Sequence, residues 1–246
     1  MPSTESILAR LEIFGVRLGL ERSRQLLDRL GDPQLDMPVI LVAGTNGKGS
    51  TSALLASILG AAGYRVGLYT SPHLETVEER IRINGAAIDR RRLACLLEEV
   101  VEAGRLETGS PPTYFEALTA AAFVEFRDGA VDVAVMEVGL GGRLDATNVA
   151  EPVLSLITSI ALDHQHVLGS TLALIAREKA GILRAGGPAL CWVEADEARD
   201  ALFERAAEIG AVVEDARLGV QWGQPSDSLT SAGRRQPVAT PSTRAI

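Results

Sequence analysis

The chain has 246 residues, 46% hydrophobic and 23% charged, a balance that fits one large folded domain or two small ones. Its net charge of -8 argues against a general nucleic-acid binder, because neutralising a phosphate backbone needs a basic surface. No stretch reaches the roughly 18 uninterrupted apolar residues of a membrane span, and the opening MPSTESILARLEIFG lacks the basic start and apolar run of a secretory signal. The expectation is a cytoplasmic protein with neither a membrane nor a nucleic-acid partner.

Over residues 7–30, apolar and charged positions alternate at helical spacing with a break at residues 15–19, which predicts two short helices. GDPQLDMP then interrupts the pattern. VILVA, residues 39–43, is an unbroken aliphatic run suited to a central parallel strand buried on both faces. STSALLASILGAAG, from Ser50, predicts a helix that stops at Gly63, and YRVGLYT the next strand; strand, loop, helix, strand is a βαβ unit. Asn84-Gly85 in ERIRINGAAI signals a hairpin turn. Asp89 is placed to cap a helix through RRRLACLLEEVVEAG, whose leading arginines oppose the helix dipole and are expected to be solvated. SPPTYFEALTAAAFVEF enters another helix after two prolines. VDVAVMEVG and VLSLITSI read as strands, TLALIAREKAGIL as a helix, GPALCWV as a strand and DEARDALFERAAEIG as a helix. Such alternation predicts an α/β fold, a mostly parallel sheet flanked by helices. Residues 1–217 form this domain. From Leu218 the sequence turns rich in Ser, Thr, Gly, Pro and Ala with no period, and residues 218–246 are expected to be a linker remnant and a disordered tail. Cys95 and Cys191 read as buried apolar thiols.

GTNGKGS, Gly44 to Ser50, departs from the strict phosphate-loop pattern G-x-x-x-x-G-K-[ST]. Val42 stands at the first glycine position, and Gly49 separates Lys48 from the hydroxyl of Ser50. Even so, the loop follows a buried strand and opens a helix, whose amides and dipole attract phosphate. Gly44, Gly47 and Gly49 let the backbone wrap an anion, and Lys48 adds a cation. A glycine turn with a surface lysine is the competing reading, and the strand-loop-helix context favours the phosphate site. Glu137 ends a strand where ligands collect in open α/β sheets, as a metal ligand or a solvated acid. The glycines of EVGLGGRLDATN match a dinucleotide fingerprint only partly, with Leu144 at the third glycine position. His164 and His166 form an H-x-H pair without the cysteines of a zinc site; Asp163 could equally hold a histidine. Taken locally, Lys179 reads as a solvated helix charge.

GTNGKGS, TSPHL, ERIRING, TYFEALT, EVGLGGRLDATN, LDH and AREKAGI, in this order and spacing, resemble the folylpolyglutamate synthase family. Its bacterial members are often bifunctional dihydrofolate synthases, and its superfamily includes the Mur peptidoglycan ligases. The resemblance covers about residues 8–218. It implies the Mur-type ATP-binding fold and a ligase of folate biosynthesis: ATP phosphorylates a pterin carboxylate, of dihydropteroate or a folate, and L-glutamate attacks the acyl phosphate. It further implies that Gly44, Thr45, Asn46, Gly47, Lys48, Gly49 and Ser50 hold ATP, and that Ser71, Glu137 and His164 hold Mg2+. Lys179 matches a lysine carbamylated in the family; with Lys48 and His164 it makes the catalytic set. Arg17, Leu18, Gly19, Leu20, Thr113, Tyr114, Phe115, Glu116, Leu144, Asp145 and Ala146 match the pterin pocket, Phe115 by stacking. The family leans monomeric.

Two departures are expected to matter. Family members continue into a second α/β domain that supplies most of the glutamate site, and this sequence does not. LDHQHVLGST lacks the acids and the aromatic usual there. The resemblance therefore leaves room for a non-catalytic ATP- or pterin-binding remnant, and for a Mur-type ligase acting on another carboxylate.

Overall fold

The computed structural model describes residues 3–15 and 17–219. Helices α1 (Thr4–Glu12) and α2 (Glu21–Arg29) precede β1 (Val39–Ala43), which leads through the glycine loop into α3 (Lys48–Ala61) and β2 (Val66–Tyr69). A hairpin of β3 (Ile81–Ile83) and β4 (Ala86–Ala87) turns at Asn84-Gly85, both with positive φ. There follow α4 (Arg90–Thr108), α5 (Tyr114–Asp128), β5 (Val133–Glu137), β6 (Pro152–Ile157), α6 (Gln165–Leu168), α7 (Leu172–Lys179), β7 (Pro188–Cys191), α8 (Asp196–Ile209), β8 (Val212–Asp215) and α9 (Ala216–Gly219). Beyond Gly219, the expected tail lies outside the described residues.

Local chemistry explains the helix starts. The Asp89 carboxylate accepts from the amides of Arg91 and Arg92, capping α4. Thr113 and Glu116 form a reciprocal capping box at α5, which accounts for the entry after two prolines. Of the arginines opening α4, Arg90 and Arg91 are exposed as expected, whereas Arg92 pairs with Glu125 at 2.9 Å and with Asp128 at 2.5 Å, so these α5 acids offset its unfavourable place on the dipole.

The eight strands lie in the order β4-β3-β2-β5-β1-β6-β7-β8. All pairings are parallel except those of β2 with β3 and β3 with β4. β1 is central, so all five of its residues are buried. Val39, Leu41 and Ala43 point to the main core under α1, α2, α4, α5, α7 and α8. Ile40 and Val42 point to the other face, where Leu55, Ala56 and Leu59 of α3 cover them with Val66, Leu68, Val133 and Val135. Register pairs Val42 with Glu137 and Ala43 with Ile157. The C-terminal ends of β1, β5 and β6 are therefore level, the place where open α/β sheets bind ligands.

Two elements escape the sequence pattern. β8 is a four-residue edge strand, VVED, with Val212 and Glu214 exposed, too short and too polar to show a period. α6 is one helical turn within LDHQHVLGS.

Candidate active site

The glycine loop is fastened to the end of β6. Thr45 N–H donates to the Ser159 carbonyl at 2.8 Å, Asn46 N–H to Ser159 Oγ at 3.0 Å, and Thr158 Oγ1 donates to the Asn46 carbonyl at 2.7 Å. A Cβ at Gly44 would lie 2.0 Å from Thr158 Oγ1, so this close approach requires glycine. Gly47 caps α3 with φ 81°, a left-handed conformation that glycine adopts without strain. The first helical bond runs from Thr51 N–H to the Gly47 carbonyl. Amides at 48, 49 and 50 have no intrahelical acceptor, and the dipole adds to their pull on an anion. Lys48 Nζ lies over the loop, donating to the Thr45 carbonyl at 3.2 Å.

Glu137 and Ser71 meet beside the loop. The Ser71 amide donates to Glu137 Oε2 at 2.9 Å. The carboxyl is buried, and burial raises its pKa, partly offset by the Ser71 amide and by the charges of Lys48 and Arg80. A Cβ at Gly49 would stand 3.4 Å from Oε2 and 3.6 Å from Oε1. These are ordinary contact distances, so the start of α3 lies directly beside this carboxylate. Carboxylate, hydroxyl and phosphate oxygens are donors suited to Mg2+. His164 is exposed, with φ 46°, and its own N–H donates to Asp163 Oδ1 at 2.8 Å. Its ring centroid is 6.3 Å from that of His166. Among the described residues no three His, Cys, Asp or Glu side chains form a metal cage.

Lys179 is not the solvated charge that its local sequence suggests. Ile175, Ala176 and Lys179 are the buried residues of α7, spaced to share one helix face. Nζ donates to the Gly44 carbonyl at 2.8 Å, and the residue is 4% exposed. Burial first, and then the charge of Lys48, lowers its pKa to about 8. The second glycine cluster packs against the same place. A Cβ at Gly142 would lie 2.9 Å from the carbonyls of Glu178 and Lys179, and one at Gly139 2.5 Å from the Phe115 ring, so these two glycines serve close packing, the first against the end of α7.

A cavity of about 330 Å³ adjoins Ser71. Its walls include Arg17, Leu18 and Gly19, the TYFE stretch Thr113, Tyr114, Phe115 and Glu116, and Leu144, Asp145 and Ala146. Three separate sequence blocks therefore meet in one hollow; Leu20 packs on the main core instead. Phe115 stands 6.0 Å from the buried Tyr69 ring. Asp145 accepts from Thr147 Oγ1 at 2.6 Å, Thr147 N at 3.0 Å and Leu140 N at 2.9 Å. Burial raises its pKa against these bonds. Glu116 spends one oxygen on its capping box, accepting from Thr113 N at 2.7 Å. Arg80 and Pro72 also line the hollow. Arg80, which nothing in its local sequence singles out, is only 8% exposed. A second hollow, lined by Thr51, Leu156, Leu190 and Trp192 among others, flanks the opposite side of the loop.

The model of the Mur ligase middle domain matches residues 42–213. This chain belongs to the Mur ligase middle-domain family. Its similarity extends to a dihydrofolate synthase/folylpolyglutamate synthase of Bacillus subtilis, 46% identical over 78% of this chain and 46% of that protein. Its counterpart in Escherichia coli is 43% identical over 88% of this chain and 50% of that protein. The solved E. coli FolC in complex with DHPP and ADP superposes with a TM-score of 0.81 at 41% identity, covering 87% of this chain and 51% of that one. A bifunctional folylpolyglutamate synthase/dihydrofolate synthase with Mn, AMPPNP and L-glutamate bound gives 0.80 at 42% identity, over 87% and 52%. This chain spans half or less of the length of these curated relatives.

Proposed function

We propose that this chain is the ATP- and pterin-binding part of a ligase that joins L-glutamate to a pterin carboxylate, of dihydropteroate or a folate. The observation that carries the reading is the single cavity formed by the blocks at 17–19, 113–116 and 144–146, ending at Ser71 beside the glycine loop. An aromatic face at Phe115 and the accepting oxygens of Asp145 suit a flat ring system with N–H donors. The neighbours solved with ADP and DHPP, and with Mn, AMPPNP and L-glutamate, support the same ligand classes.

In this reading the amides at 47–50 and Lys48 hold the ATP phosphates. Ser71, Glu137 and His164 would hold Mg2+, whose chemistry is to neutralise charge on the transferred phosphoryl group. Glu137, with a raised pKa in the free protein, is drawn to its ionised form by a cation. Lys179 would react as the free amine with CO2, forming an N–C bond and releasing a proton. The carbamate replaces a cation that repels Lys48 by an anion that attracts it. Domain boundaries at 1–217, a monomeric state and cytoplasmic residence belong to the same proposal; among the described residues no helix is long and apolar enough to cross a membrane.

The test is calorimetric binding of Mg-ATP and of pteroate by the purified chain, beside ADP release dependent on dihydropteroate, glutamate and bicarbonate. Binding of both ligands with turnover supports the ligase; binding without turnover supports a non-catalytic ATP- or pterin-binding form. Pteroate failing to bind would reject the pterin assignment and leave a Mur-type ligase for another carboxylate.

A further inference from the structure

Arg80 ends a short helical turn, Val77–Arg80, just before β3. It is 8% exposed and borders the 330 Å³ cavity beside Ser71, Pro72 and Tyr114. Its Nε donates to His73 Nδ1 at 3.0 Å, and its guanidinium carbon lies 5.3 Å from the Tyr114 ring centroid. The accepting Nδ1 and the aromatic face fix its orientation, and neither is a carboxylate. Among the described residues no carboxylate lies within ion-pair distance of it, whereas Arg92, Arg143, Arg177, Arg184 and Arg217 each pair with an acid. An arginine does not shed its proton on burial. Glu137 feels this charge but does not pair with it, so among the described residues the Nη donors of Arg80 have no carboxylate partner, and the guanidinium borders the cavity.

We infer that Arg80 is the receptor for the substrate's own carboxylate, gripping the anionic aryl end of the ligand through its Nη donors and directing it toward the Ser71–Glu137 edge of the phosphate loop. The inference rests on the pterin reading of the cavity. With Nε held by His73, the two Nη groups remain as a fork of the kind that binds a carboxylate in two places. The position suits the chemistry: the carboxylate must approach a triphosphate, and a fixed cation between them offsets the repulsion of two anions. Arg80 would thereby select an acid over a neutral ligand of the same shape, a selectivity that Asp145 and Phe115 cannot provide.

The experiment is a fluorescence titration of the purified chain, without nucleotide, with pteroate and with its primary carboxamide. The native chain is expected to prefer the acid by roughly 10- to 100-fold, as for loss of one charge-assisted contact. In Arg80→Gln that preference should collapse, with carboxamide affinity unchanged within about threefold, because packing and ring contacts persist. Arg80→Lys, which keeps the charge and loses the fork, should fall between them and carries the same test if the glutamine variant does not fold. A retained preference in both variants, or equal weakening of both ligands, overturns the inference and leaves Arg80 as a prop for Tyr114 and His73. Failure of the native chain to bind either ligand rejects the pterin reading itself, and the inference with it.

Discussion

Replacing Lys179 by methionine should reverse the sign of a stability difference across the alkaline range. The amine is buried, with a pKa displaced from 10.5 to about 8. That displacement corresponds to about 3 kcal/mol against the charged form. Between pH 8 and 10.5 the unfolded chain holds this proton and the folded chain does not, so native stability rises with pH through that window. The contribution is fully present above pH 10.5 and is lost as pH falls through about 8. Lys179→Met cannot titrate, and it leaves the Gly44 carbonyl without the 2.8 Å bond, at a cost of about 1–3 kcal/mol. At pH 7 the variant is expected to equal the native chain or exceed it by up to about 2 kcal/mol. At pH 10.5 it should be less stable by about 1–3 kcal/mol. Urea denaturation of both proteins in CO2-free buffers from pH 7 to 10.5 measures the difference; tyrosine and cysteine titrations are common to both and cancel. Parallel curves across the window would refute the account of a lysine neutralised by burial and by Lys48.

Other substitutions separate the two halves of the site. Lys48→Ala should weaken Mg-ATP binding by roughly 100-fold or more, since it removes the one cation of the loop, while leaving the urea midpoint nearly unchanged; unaltered Mg-ATP affinity in calorimetry would remove the loop assignment. Phe115→Ala should weaken pteroate binding by roughly tenfold, as loss of a stacking face does, and leave Mg-ATP affinity intact; an equal loss of both would mean that the variant disturbs the fold. Gly67→Ala tests packing far from the ligands. A Cβ there would lie 2.8 Å from the ring of the fully buried Phe126, and overpacking should destabilise by about 1–3 kcal/mol in urea titration, with both ligand affinities retained by the folded fraction.

The alternation of elements was legible because central strands are apolar throughout. VILVA and VAVME are buried at every position, and flanking helices announce themselves by caps such as Asp89 and Thr113. β8 was not legible, since an edge strand of two valines and two acids carries no period. In the site, Gly44 and Gly47 could be read as backbone requirements. The cavity could not: residues 17–19, 113–116 and 144–146 come together only through long-range packing, and it was the resemblance that named them as one pocket. Arg80 and Lys179 show the same limit from the other side. Local sequence treats a charged residue in a polar stretch as solvated, and burial is a property of what folds over it.

Composition did hold an unused signal for one of these. Of the 24 lysines and arginines in the chain, only Lys48 and Lys179 are lysines, and the fold brings both to the same glycine loop, one on the Thr45 carbonyl and one on that of Gly44. Arginine serves every other cationic position, including the buried Arg80. It would not serve these two equally. A guanidinium keeps its charge when buried, and its fork cannot occupy the room of a single ammonium among closely wrapped carbonyls. Two permanent cations around one small loop would repel each other in a desolvated setting; an amine can relieve that repulsion by giving up its proton, as the lowered pKa of Lys179 indicates. The neutral fraction of such an amine is nucleophilic, and lowering the pKa to about 8 enlarges that fraction near neutral pH. Lysine at 179 therefore places in this site a charge that can be switched off, which an arginine in the same place would not do.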